Sequence, residues 1–89
     1  MLRILALMLL FSLPALADEP LRPGAGRDTV EAACATCHTP AYIRMNSVFL
    51  TGDGWKAEVT KMRTAFGAPI DDEAAAEIIR YLTAQYGKN

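Results

Sequence analysis

The sequence predicts one small all-α domain with three main helices. Apolar residues recur at helical spacing in three separate stretches. No run alternates apolar and polar residues over a length useful for a strand. Proline and glycine fall between the periodic stretches rather than inside them.

The first residues are read as an export signal that precedes the fold. Met1-Leu2-Arg3 carries one positive side chain, Ile4 to Leu13 is apolar except for Ser12, and Ala15-Leu16-Ala17 suits a cleavage site. The apolar run is about half of the roughly 20 residues that a membrane span requires. Residues 1–17 are therefore assigned as a signal peptide, the mature protein is expected in the periplasm, and no stable membrane insertion of the mature chain is expected. The mature chain would begin at Asp18. It loses Arg3 with the signal, so acidic side chains slightly outnumber basic ones. The basic residues are scattered, which argues against a nucleic-acid partner.

Residues 18–27 read as an extended N-terminal arm with weak structural commitment: Asp18 to Gly26 holds two prolines and two glycines. The domain proper is placed at 28–89. Asp28 opens the first helix, with Glu31 three residues on as in a capping box. Val30, Ala33, Cys34 and Cys37 lie on adjoining faces, and the helix is expected to run into His38 and stop before Pro40. Pro40 to Gly54 reads as mostly loop, with room for one short helical turn. Its Tyr42, Ile43, Met45, Val48, Phe49 and Leu50 are too apolar for a free surface loop, so it is expected to wrap a cofactor. Asp53 or Thr51 caps the second main helix. Its stripe is Trp55, Val59, Met62 and Phe66, with Lys56, Glu58, Lys61 and Arg63 on the other sides. Gly67 suits a left-handed cap, and Pro69 prevents continuation. The last helix begins near Asp71 or Asp72, with Ala75, Ile78, Ile79, Leu82 and Tyr86 on its apolar side.

The chemistry lies in Cys34-Ala35-Thr36-Cys37-His38, a CxxCH motif that uses both cysteines and the one histidine of the chain. Two thiols at this spacing can each bond one vinyl group of a haem, and the histidine after them can reach the iron. Covalent haem c, one per chain, is the cofactor this motif predicts. A flat apolar cofactor would also complete a core that so short a mature chain barely supplies. The rivals explain less. A Cys34–Cys37 disulfide closes too small a loop to stabilise much. A thiol–disulfide enzyme would place the motif on a strand–helix unit, which is missing here. A zinc site would have only three protein ligands, crowded into the motif itself.

His38 is thus one axial ligand. The other must come from Met45 or Met62, the methionines outside the signal, unless the sixth position is open. Met62 lies far beyond His38 on the helical stripe, whereas Met45 follows closely in the loop and has only a short path around the haem edge. Helical spacing alone would make Met62 an ordinary core residue. Trp55 and Phe66 are expected either near the haem plane or as helix-on-helix core. Tyr42 and Tyr86 could hydrogen-bond a propionate, and Arg44 could neutralise one. A methionine–histidine pair would raise the reduction potential and leave no site for substrate. No nucleophile–base pair is present, so electron transfer is expected, and no catalytic residue is assigned.

The chain resembles small monohaem c-type cytochromes with a class I-like fold. Its pattern is most similar to the cytochrome subunit of bacterial, molybdenum-containing sulfite dehydrogenase. The likeness is carried by Cys34 to His38 with Ala41-Tyr42-Ile43, by Trp55-Lys56-Ala57-Glu58-Val59 with Lys61-Met62, by Phe66-Gly67-Ala68-Pro69-Ile70 with Asp71-Asp72, and by Ile79-Arg80-Tyr81-Leu82. The resemblance implies that Met62 is the distal ligand. It also implies that electrons come singly from a molybdenum sulfite dehydrogenase catalytic subunit and leave to a soluble cytochrome c. The alternatives are a carrier for a different periplasmic dehydrogenase or oxidase, and a haem-based ligand sensor.

Overall fold

The computed structural model describes residues 20–35 and 38–89. The signal segment 1–17 and Cys37 lie outside the described residues. The described elements are helices: α1 (Arg27–Cys34), α2 (Ala41–Asn46), α3 (Gly52–Thr64) and α4 (Asp72–Tyr86). No strand occurs among the described residues, and none of their helices is long and apolar enough to cross a membrane.

The longest helix, α4, is the spine, and α1 and α3 pack on it. Its start follows from local chemistry. Asp71 is extended, and its carboxylate accepts from the Ala74 N–H at 2.7 Å. Asp72 and Glu73 in the first turn suit the positive end of the helix dipole. Ala75, Ile78, Leu82 and Tyr86 are buried as their spacing predicts, and Ile79 is partly buried against them. Tyr81 is also buried, although it lies beside the expected stripe.

In α3 the cap is Thr51 rather than Asp53, with its hydroxyl accepting from the Gly54 N–H at 3.3 Å. Trp55 is 0 % exposed, and its indole N–H donates to the Tyr86 carbonyl at 3.0 Å. This bond ties the start of α3 to the end of α4 and gives the one polar atom of a large buried ring its partner. Val59 is buried one turn on. The helix stops at Thr64, and Gly67 adopts a left-handed φ of 68° as expected. The Ala68 N–H turns back to the Met62 carbonyl at 2.9 Å.

Three local expectations are corrected. The capping box at Asp28 does not form: α1 begins at Arg27, behind a left-handed Gly26 (φ 97°) with no side-chain cap. A Cβ at Gly26 would meet the Tyr81 Cβ at 3.1 Å, so close approach to α4 as well as backbone conformation selects glycine there. Glu31 instead faces Arg27 at 3.9 Å. The helix ends at Cys34, short of His38, which lies in a bend before Thr39 and Pro40. Pro40 does not merely interrupt the chain but serves as the N-cap of α2, where its missing N–H costs nothing. Buried Ile43 anchors this short helix, so the supposed loop contains a fourth, minor element.

The arm is not loosely committed. Leu21 is 2 % exposed and belongs to the core. The Arg22 N–H donates to the Tyr86 hydroxyl at 2.9 Å, and the Tyr81 hydroxyl donates to the Arg22 carbonyl at 2.6 Å. The Arg22 guanidinium lies 4.6 Å from the centre of the Tyr86 ring and also donates to the Gln85 carbonyl. Two tyrosines of α4 thus receive a segment whose own composition is poor in structure-forming residues.

Candidate haem site

A cavity of about 380 Å³ opens between α1, α2, α3 and the α3–α4 connection. Helix α1 supplies Ala33 and Cys34, the bend after it supplies His38, and α2 supplies Tyr42. Glu58, Lys61 and Met62 come from α3, and Phe66, Ala68 and Ile70 from the connection. None of the lining residues belongs to α4.

The stripe of α3 therefore changes partner along its length. Trp55 and Val59 are buried in the core, whereas Met62, two turns beyond Trp55, lies over the cavity. Met45 does not line the cavity and is 71 % exposed. Of the two methionines, Met62 alone shares the cavity with His38.

His38 lacks a buried scaffold of its own. Its Nδ1 lies 3.3 Å from the Thr39 carbonyl. A carbonyl can only accept, so the bond requires the proton on Nδ1 and leaves the Nε2 lone pair available. The imidazole also lies against Tyr42, with ring centres 4.5 Å apart and planes inclined by 36°. The Tyr42 hydroxyl donates to Glu58 Oε2 at 2.8 Å. Glu58 in turn pairs with Lys61 at 3.2 Å. The carboxylate that accepts the Tyr42 proton, together with partial burial, holds the phenol above its ordinary pKa.

Several expectations for individual residues are revised. Tyr86 is a core residue whose hydroxyl serves the arm, and it lies off the cavity. Arg44 is not a lining residue. Trp55 takes the second of its two expected places, in the helix-on-helix core. Phe66 lines the cavity but is 70 % exposed, because α3 has ended before it. Of the segment expected to wrap the cofactor, only Tyr42 lines the cavity, while Val48 and Phe49 are exposed. Glu58 is the residue that sequence reasoning set among the solvated side chains. Its signal was present: it precedes Met62 by four positions, which places the two on one helix face.

The donor set fits a haem held at the motif. A thiol, an imidazole and a thioether, from Cys34, His38 and Met62, meet on one cavity whose remaining walls are mainly apolar. Cys34, His38 and Met62 are the residues that would hold the group. Comparison with known families agrees. The family described as quinohemoprotein amine dehydrogenase A, alpha subunit, haem binding, matches residues 24–89. No curated protein matches the chain.

Proposed function

The chain belongs to this haem-binding family, and from that premise we propose that it is a one-electron carrier subunit of a periplasmic dehydrogenase. It would hold one haem c through Cys34 and Cys37, with His38 and Met62 as axial ligands. Such a centre supplies one-electron redox chemistry. The observation that carries the reading is the meeting of Cys34, His38 and Met62 on one cavity while Met45 faces solvent.

The residues have distinct tasks in this reading. Thr39 fixes the tautomer of His38 so that Nε2 is available to iron. Met62 projects from a regular helix into the lining of the cavity, and its sulfur would take the ligand site that a substrate or gas would need. Ala33, Phe66, Ala68 and Ile70 give the cavity apolar walls. A thioether ligand and a low dielectric both disfavour the extra positive charge of the oxidised state, so they raise the potential. Phe66, exposed on one side and lining the cavity on the other, marks the edge through which electrons would pass. The chain has no substrate-converting site of its own in this proposal.

The donor is proposed to be a molybdenum-containing sulfite dehydrogenase catalytic subunit, and the acceptor a soluble cytochrome c. The resemblance of the segments around Met62 and Gly67 supports this. A second reading, a carrier for an amine-oxidising dehydrogenase, is favoured by the description of the matching family. Stopped-flow mixing of the oxidised cytochrome with each prereduced enzyme separates them. Rapid haem reduction by the sulfite enzyme alone supports the first reading, and by the amine enzyme alone the second. Retention of haem after denaturation, with a pyridine haemochrome spectrum of the c type, tests the thioether bonds.

A further inference from the structure

We propose that Tyr42 and Glu58 are positioning residues: they orient the His38 imidazole and tie it to the helix that carries Met62. The inference rests on the axial assignment of His38 and Met62 made above.

His38 follows the end of α1, and its ring nitrogen bonds to the carbonyl of the very next residue, at an exposed site. A bond so local moves with the ring's own backbone and cannot fix the ring against the rest of the fold. Tyr42 can. Its ring lies 4.5 Å from the imidazole, and α2 is anchored by buried Ile43 next to it. Tyr42 is fixed in turn by its hydrogen bond to Glu58 on α3, at 2.8 Å. Glu58 is held by Lys61 at 3.2 Å, and Met62 is the next residue. The two iron ligands lie far apart in sequence, one on a bend and one on a helix. The chain Tyr42–Glu58 bridges them. An anionic acceptor makes this hydrogen bond stronger than a neutral one.

The test uses the oxidised holoprotein and four variants: Tyr42→Phe, which keeps the ring and removes the hydroxyl, Glu58→Ala, Glu58→Gln, and the Y42F/E58A double. Two readouts apply. One is the rate at which added imidazole displaces the methionine sulfur, followed by loss of the near-infrared sulfur-to-iron band. The other is the electron paramagnetic resonance g-tensor, which reports ligand orientation and would not respond to a role in stability alone. Y42F and E58A are each expected to accelerate displacement about tenfold, the scale of one hydrogen bond to a charged acceptor, and to shift the g-values. The double variant should match the singles, since both remove the same bond. E58Q, whose amide oxygen still accepts but carries no charge, should fall between the wild type and E58A. Unchanged rates and g-values in Y42F overturn the proposal, as does a double variant whose effect is the product of the singles. Absence of the sulfur-to-iron band in the wild type would instead overturn the axial assignment beneath it.

Discussion

Replacing Met62 with alanine separates a ligand from a core residue. Met62 lines the cavity beside His38, while Met45 is 71 % exposed and lies off the cavity. Met45→Ala therefore supplies an internal control with the same chemical change. Truncation at an exposed position should alter stability by less than about 0.5 kcal/mol and leave the potential unchanged. Under the proposed assignment, truncation at Met62 removes a thioether that favours reduced iron. The potential is expected to fall by about 0.1 V or more. A one-electron couple changes tenfold per ~59 mV, so this is a roughly 50-fold shift toward the oxidised form. At about 1.4 kcal/mol per decade, the shift is on the order of 2.3 kcal/mol. Spectroelectrochemical titration gives the potential, and the near-infrared band gives the ligand. An intact band and unchanged potential in M62A would refute the assignment, and loss of the band in M45A would transfer the role to Met45.

Trp55→Phe keeps an aromatic ring but leaves the Tyr86 carbonyl without its 3.0 Å donor. With an unpaired buried acceptor and a smaller ring, a loss of about 2–4 kcal/mol is expected in urea unfolding. Leu21→Ala should cost about 2–4 kcal/mol by the same measurement, whereas a loosely attached arm would give almost no change. Tyr81 is pushed up to about 12, first by burial and then by neighbouring Tyr86. The folded state therefore keeps the phenol proton where the unfolded chain has lost it. Its stabilising effect is complete below pH 10 and is lost as the pH rises from there through about 12. Alkaline unfolding monitored by circular dichroism should show this decline, and Tyr81→Phe should remove the Tyr81 share while leaving the smaller share of Tyr42, which is raised in the same direction.

Elements written by local rules were legible in the chain. The start of α4 at Asp71 and Asp72 follows from side-chain capping and charge at a helix end. Gly67 was readable because few residues other than glycine accept a positive φ. Periodicity placed Trp55, Val59, Ile78 and Leu82 in the core. Phe66 continued the same periodicity but lines the cavity and not the core, since a pattern does not reveal that the helix has already ended. The arm was underestimated for a related reason: composition counts flexible residues, but Leu21 is held by a core to which α4, at the far end of the chain, contributes most.

Adjacency carries the expected chemistry: Cys34, Cys37 and His38 could serve two vinyl groups and the iron of one haem because they lie within a few residues of one another, and the order of residues alone supplies that. Which methionine shares the cavity, that Tyr42 meets Glu58, and that Tyr86 serves the arm were decided only by packing. Each depends on distances between segments remote along the chain, which follow from how α1 and α3 settle on α4 and not from any local preference.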